Sequence, residues 1–212
     1  ETRHIGDKGG GTCVGRPLPG MEVRIIAITD EPLDTIGDAA ILPPGEIGEI
    51  AVRGPVTTKE YYRLPAATRL AKMADDEGGI WHRMGDVGYL DAGGRLWFCG
   101  RKAHRVETAA GRLFTVPCEA VFNRHPRVRR SALVGVGAAG AKRPVIVIEL
   151  LPGDHGRDKE ALTAELLEIA GANPMTRPIK TVLYHPGFPV DIRHNAKISR
   201  EKLAVWAAAR LG

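Results

Sequence analysis

Metal-ligand spacing is missing from this chain. No C-x-x-C pair occurs, and the seven histidines, at 4, 82, 104, 125, 155, 185 and 194, stand apart from one another, so each reads as structural and no metal ligand is expected. The three cysteines, Cys13, Cys99 and Cys118, are far apart and odd in number, which argues against a disulfide framework and favours a reducing cytoplasm. No apolar run approaches a membrane span and no signal peptide is visible. Aromatic residues make up 5% of the chain, too few for a surface on which single strands would stack. The net charge of +5 is spread along the sequence. Its densest cluster, Arg124 to Arg130, has no aromatic platform beyond Phe122. A basic nucleic-acid binder is thus the weaker reading, and attraction for a small anionic substrate such as a nucleotide explains the charge as well.

What is present is enough apolar material, 43% of 212 residues, for one large domain or two small ones. The chain opens at Glu1 without methionine, and its polar, glycine-rich first stretch to Thr12 reads as a loop cut from a longer protein. Residues 13 to about 100 read mostly as strands: Glu22 to Ile28 is rich in β-branched residues, and Glu46 to Val52 follows the break at Pro43-Pro44-Gly45. A short helix is expected after Pro65. From Arg101 the pattern changes. A small hairpin from Lys102 to Glu107 and Arg112 to Thr115 leads to a helix starting at Pro117. Strands at Ser131 to Val136, Pro144 to Leu151 and Thr181 to Tyr184 alternate with an amphipathic helix, Asp158 to Ala170, whose Leu162, Leu166 and Ile169 share a face. A last helix, capped by Ser199, carries Leu203 and Trp206. The fold class read from this is α+β, a strand-rich, barrel-like part over 1–100 and a small α+β part over 101–212, with the boundary at about Arg101 to His104.

The stretch from Trp81 to Arg101 is the most specific. The turn Asp91-Ala-Gly-Gly94 separates two strand-like runs, Val87 to Leu90 and Arg95 to Cys99, and Gly85-Asp86 precedes this hairpin as Gly100-Arg101 follows it. A hairpin brings its ends together, so Asp86 and Arg101 are expected to be neighbours. A carboxylate accepts from two adjacent hydroxyls and a guanidinium donates to hydroxyls and phosphate oxygens, so the pair suits a ribose with a phosphate attached. A plain surface salt bridge across a hairpin end is the alternative. Near the end of the chain, Pro189 to Arg200 forms a polar loop before the last helix, and its Lys197 is either a mobile charge that reaches a phosphate or an ordinary solvent-facing lysine.

Together these segments resemble, in order and over nearly the whole chain, the adenylate-forming superfamily of acyl-CoA synthetases, luciferases and peptide-synthetase adenylation domains. Gly45-Glu-Ile-Gly-Glu-Ile-Ala-Val-Arg-Gly54 with Tyr61-Tyr62 resembles the family's G-E-[IL]-x-[VI]-x-G…G-Y region, Arg83-Met-Gly-Asp86 its R-T-G-D motif, Gly100-Arg101 its G-R-x-D motif, and Pro117-x-Glu119 its P-x-E-[IL]-E helix start. Lys197 falls on the family's late lysine. The resemblance implies that Asp86 and Arg101 hold the ribose of ATP, that Lys197 with Mg²⁺ offsets the charge between acyl carboxylate and α-phosphate, and that a hinge lies in Lys102, Ala103 and His104, where the family commonly has Asp or Lys at the position of Ala103. It implies the C-terminal strand-rich part of a large domain followed by a small mobile domain. The family's glycine-rich phosphate loop is absent from this sequence, so the chain alone is expected to be inactive and to need the rest of the enzyme.

The strings Gly100-Arg-Lys-Ala-His-Arg-Val106 and Val190-Asp-Ile-Arg-His-Asn-Ala-Lys-Ile198 most resemble the β-lactone-forming subgroup of bacterial long-chain olefin biosynthesis. This implies an ATP-dependent synthetase acting on a 2-alkyl-3-hydroxy fatty acid, which it converts by way of an acyl-adenylate into a β-lactone, AMP and pyrophosphate. Other olefin-biosynthesis enzymes are then possible partners. The substrate's own 3-hydroxyl is the nucleophile, which dispenses with coenzyme A. In CoA-using members the turn corresponding to Glu107-Thr-Ala-Ala-Gly111 helps line the thiol tunnel, and here it is one residue longer. A long-chain acyl-CoA ligase and a non-catalytic basic binding module are the alternatives.

Overall fold

The computed structural model describes residues 1–154, 156–191 and 197–212. The chain divides into two compact units, Thr12–Ala103 and His104–Gly212, and the latter also includes Glu1–Gly11.

The first unit is built on an antiparallel sheet. Its strands are β1 (Thr12–Gly15), β2 (Glu22–Ile26), β3 (Gly48–Arg53), β4 (Lys72–Ala74), β5 (Ile80–Leu90) and β6 (Leu96–Arg101), with the short helix α2 (Pro65–Ala71) before β4. The order is β1-β6-β5-β3-β2, and β4 pairs with the start of β5. Ile26, Ile36, Ala51, Met73 and Trp81 form its core. The expected strands and helix are here, and β1 and β4, too short to show a pattern, are additions.

The turn of the β5–β6 hairpin is held by one side chain. Asp91 accepts the backbone N–H groups of Gly93 and Arg95 on Oδ1, and Nε of Arg95 and the indole N–H of Trp97 on Oδ2, at 2.6–2.9 Å. The Trp97 indole, then the backbone N–H of Arg95, hold the Asp91 carboxyl well below the usual range. The strands extend beyond the expected ends, so that Asp86 is paired directly with Arg101.

The second unit has a sheet covered on both faces. Its strands β9 (Val128–Val136), β10 (Arg143–Leu150) and β11 (Thr181–Tyr184) lie in the order β11-β10-β9, β10 parallel to β11 and antiparallel to β9. Because side chains alternate along a strand, Ile146 and Ile148 face one core with Cys118, Phe122, Leu162 and Leu166, while Val145 and Val147 face the other with Phe188, Leu203 and Ala207. The first core is closed by helices α3 (Thr115–Phe122) and α4 (Lys159–Ala172), the second by α5 (Arg200–Leu211). The continuous apolar run of β10 follows from this double burial. A separate hairpin, β7 (Val106–Thr108) and β8 (Gly111–Leu113), precedes α3.

Several local readings shift. Lys102–His104 is a 3₁₀ turn, so the small hairpin begins at Val106. Helix α3 starts at Thr115 and carries Pro117 in its first turn, which costs no hydrogen bond because the leading N–H groups have no partner within the helix. The buried stripe of α4 is Leu162, Leu166 and Ala170, with Ile169 only half-buried. Ser199 occupies the cap position of α5, but its side chain makes no capping bond. The glycine-rich start is not an open loop: helix α1 (Thr2–Ile5) runs into a π-helical turn, Gly6–Gly10. Gly9, at φ +91°, sits where an added Cβ would lie 3.2 Å from the carbonyl of Pro117, and Asn173 donates to the carbonyl of Lys8 at 2.9 Å. These residues therefore group with 104–212, whereas the sequence reading had put them in 1–100.

Candidate nucleotide site

Asp86 and Arg101 face one another across the open end of the β5–β6 hairpin, with Arg101 Nη1 2.9 Å from Asp86 Oδ1. The glycines before each of them have a local cause. Gly85 is at φ +66° and Gly100 at φ +127°, conformations that side-chain-bearing residues rarely adopt. Beside them β6 carries an extra residue, Val87 pairing with Gly100 and Gly88 with Phe98. A bulge of this kind re-aims the side chains next to it. Asp86 is largely buried, and its Oδ1 makes an ion pair with Arg101 whose angle leaves it without a hydrogen bond. Burial pushes the carboxyl up and the Arg101 guanidinium pulls it back only in part. Arg101 is more than half exposed. A partly buried acceptor with hydrogen-bonding capacity to spare, beside an exposed guanidinium, is suited to an adjacent pair of hydroxyls and a nearby phosphate.

Beneath this pair lies a cluster of buried charges that spacing did not announce. Arg83 and Glu49 have side chains 1% exposed and are joined at 2.7 Å. Arg83 also donates to the carbonyls of Glu31 (2.8 Å) and Thr29 (2.6 Å). Nζ of Lys102 reaches Glu49 at 3.1 Å and the Thr29 carbonyl at 3.0 Å. The available sequence signal was Glu49 inside an otherwise apolar strand run.

Of the remaining expected residues, Lys102 and Ala103 belong to the same unit as this pair, and His104 and Lys197 to the other. Lys197 is exposed. Its backbone carbonyl accepts from Asp191 at 3.0 Å, Ser199 N–H donates to the Pro189 carbonyl at 2.8 Å, and Val190 bridges to Ile198. These bonds pin both stems of the loop, and Ile192 to Ala196, including His194, lie outside the described residues. Arg200, the first residue of α5, makes a two-pronged pair with Glu119 of α3 at 2.7 and 2.8 Å, and Glu119 also accepts the Leu133 N–H at 2.9 Å. Of the expected hinge, Lys102 is held as described, while Nε2 of His104 lies 3.0 Å from Glu201 of α5. The Glu107 carboxylate before the β7–β8 turn is held by Arg105 at 2.7 Å and Arg112 at 3.0 Å. Among the described residues no group of three or more His, Cys, Asp or Glu side chains could hold a metal ion, and no helix is long and apolar enough to cross a membrane.

No protein-family model matches the chain. It is 53% identical over 211 residues to the olefin β-lactone synthetase of Xanthomonas campestris pv. campestris, covering 98% of this chain and 38% of that protein. It is 54% identical over 215 residues to the olefin β-lactone synthetase of Stenotrophomonas maltophilia, covering 100% of this chain and 39% of that one. The structure of an ATP-bound RpMatB-BxBclM chimera superposes on 92% of this chain, and 36% of its own, with a TM-score of 0.73 and 25% identity. The chain thus spans well under half the length of the relatives it matches.

Proposed function

Because the chain belongs to the adenylate-forming superfamily, we propose that it forms part of an enzyme that converts a 2-alkyl-3-hydroxy fatty acid to a β-lactone at the expense of ATP. The observation that carries this reading is the identity of 53–54% to olefin β-lactone synthetases along the whole chain. The site geometry supports the nucleotide half of it. In this reading Asp86 accepts both ribose hydroxyls, and Arg101 donates to the ribose and steadies the phosphate end. Carboxylate attack on the α-phosphorus expels pyrophosphate. Lys197 neutralises the charge that builds between carboxylate and phosphate. The 3-hydroxyl oxygen then attacks the acyl carbon, its proton passing to solvent or to the departing phosphate, and AMP leaves, closing the four-membered ring. Proximity drives this step, since nucleophile and electrophile belong to one molecule. Mg²⁺ is taken as a companion of the ATP substrate, and no residue of this chain is assigned to it.

The strand-rich part, from Thr12 to about residue 100, is proposed as the end of the large domain and 101–212, with which Glu1–Gly11 group, as the mobile small domain, joined by a hinge at Lys102, Ala103 and His104. The chain alone does not turn over in this reading and requires the rest of the enzyme. The product passes to other enzymes of olefin biosynthesis, in the cytoplasm.

The decisive experiment gives the complete enzyme ATP, Mg²⁺ and a 2-alkyl-3-hydroxy fatty acid, with and without coenzyme A, and identifies the organic product by NMR. A β-lactone without CoA, with AMP released, is expected. A thioester that appears only with CoA would make the enzyme an acyl-CoA ligase, and absence of AMP would remove it from carboxylate activation altogether. Salt-sensitive binding to DNA or RNA independent of ATP would select the basic module instead.

Asp86 gives this reading a pH signature. Its folded-state pKa is raised by burial, so it takes up a proton at a higher pH than an ordinary aspartate. The carboxylate accepts strongly on both oxygens, whereas protonation removes the charge and turns one oxygen into a donor. ATP affinity is therefore expected to fall as pH drops through that raised value, and Asp86→Asn should bind ATP about 10–100-fold more weakly, the loss of hydrogen bonds to a charged group. Calorimetric titration of the complete enzyme between pH 4 and about 8 measures both; affinity independent of pH in the native enzyme and unaltered in the variant would detach Asp86 from the nucleotide.

A further inference from the structure

We propose that Glu49 is a positioning residue for the nucleotide pair, a single buried carboxylate that fixes both ends of the hairpin from which Asp86 and Arg101 project. This rests on reading that pair as the ribose contact. Glu49 lies on β3, at 1% exposure. Its Oε2 accepts from Nε and Nη2 of Arg83 at 3.1 and 2.7 Å, and Nζ of Lys102 lies 3.1 Å away. Arg83 precedes Asp86 by three residues on β5, and Lys102 directly follows Arg101 at the end of β6. The same carboxylate therefore grips the strand just before the acid and the chain just after the arginine.

Both ends need such a grip. Gly85 and Gly100 stand at positive φ beside a bulge, so the backbone that carries Asp86 and Arg101 is permissive where its direction matters most. Held within a fraction of an ångström, the two groups can meet a ribose together; left to the glycines, they cannot. Stability alone does not call for buried charges here. A trio of well-packed apolar side chains would hold a hairpin as well, since buried ion pairs repay little more than their desolvation. The alignment of Arg83 is further fixed by the Thr29 and Glu31 carbonyls, and that of Lys102 by Thr29, so the network has a defined geometry to transmit.

The test compares steady-state kinetics of the complete enzyme with Glu49→Gln, Lys102→Met and Lys102→Arg, assayed as AMP release. Glu49→Gln keeps the shape and removes the charge. Lys102→Met leaves the more buried Glu49–Arg83 pair intact and covers the case in which Glu49→Gln fails to fold. Expected are a KM for ATP raised about tenfold in Glu49→Gln, equivalent to ~1.4 kcal/mol, a smaller rise in Lys102→Met, recovery in Lys102→Arg, and an unaltered KM for the hydroxy acid. Equal losses toward both substrates that track a lowered melting temperature would reduce Glu49 to a structural role and overturn the inference. So would an ATP KM unchanged in every variant that folds. If the native enzyme releases no AMP, the nucleotide reading and this inference fall together; if it does and the variants match it, this inference falls alone.

Discussion

Replacing Lys197 by alanine in the complete enzyme is expected to slow adenylate formation by about 10²–10³-fold, the usual cost of removing one group aimed at developing charge, while the KM for ATP changes little. The expectation follows from where the residue stands. Lys197 is exposed at the stem of a loop whose backbone is tied down by the Asp191 N–H to Lys197 carbonyl bond and the Ser199 N–H to Pro189 carbonyl bond. The pair proposed to hold the ribose, Asp86 and Arg101, belongs to a different unit of the chain. Ground-state binding of ATP is thus assigned to one set of residues and stabilisation of the transition state to another, and a substitution in the second set should appear in kcat rather than in KM. Single-turnover measurement of pyrophosphate release, beside equilibrium binding of ATP, separates the two. Loss of binding in step with loss of rate would make Lys197 a nucleotide-binding residue and nothing more.

The largest expected effect on stability is at Arg200. Arg200→Met strips the buried Glu119 of its partner, and breaking such a pair from one side costs about 3–5 kcal/mol. Glu119 would keep the Leu133 N–H, but its charge would be uncompensated between α3 and β9. Burial already pushes the Glu119 carboxyl up, with Arg200 pulling it down; without Arg200 it rises further. A carboxyl whose folded pKa lies above its unfolded one favours the folded state below the unfolded pKa, and that contribution is lost as pH rises through the folded pKa. The deficit of Arg200→Met should therefore be greater at pH 8 than at about pH 5, where Glu119 can take up a proton. Urea denaturation of the chain at the two pH values measures this, and the double variant with Glu119→Leu should recover much of the loss. A deficit under about 0.5 kcal/mol, the scale of an ordinary surface change, would mean that the pair is solvated. The same pair lies at the start of α5, three residues beyond Lys197, so the deficit is also a measure of how firmly that loop is founded.

How much of this was legible beforehand depended on whether the signal was local. The β5–β6 hairpin was readable because its turn residues and flanking glycines lie within the segment itself, and the juxtaposition of Asp86 and Arg101 followed from hairpin geometry. The run Pro144 to Leu151 read as a strand, and its alternate apolar residues enter two different cores, a double burial the reading did not specify. Glu49 was not readable. A glutamate in a strand is as compatible with a solvated face as with burial, and what buries it comes from β5 and from Lys102, residues 34 and 53 positions away. The cap at Ser199 misled for the opposite reason: the local pattern was right, yet Arg200 anchors the helix start through Glu119, 81 residues distant. The glycine-rich start misled in the same way, since its helical turn depends on docking against α3 and Asn173. Lys197 was picked out by resemblance, and exposure alone would not have distinguished it.

The linker between the units is short in a mechanical sense. Lys102 is anchored to Glu49 and the Thr29 carbonyl, and His104 to Glu201. Between two anchored residues stands one methyl-bearing residue, Ala103. In the hinge proposed here, the torsions of Ala103 are the ones no side-chain anchor restrains, and they would carry the largest share of the swing. An alanine has a few separate allowed basins of φ and ψ, with forbidden ground between them. If that proposal holds, the joint would work like a detent with a small set of angles, and the steric map of a single residue would limit the postures of the hinge.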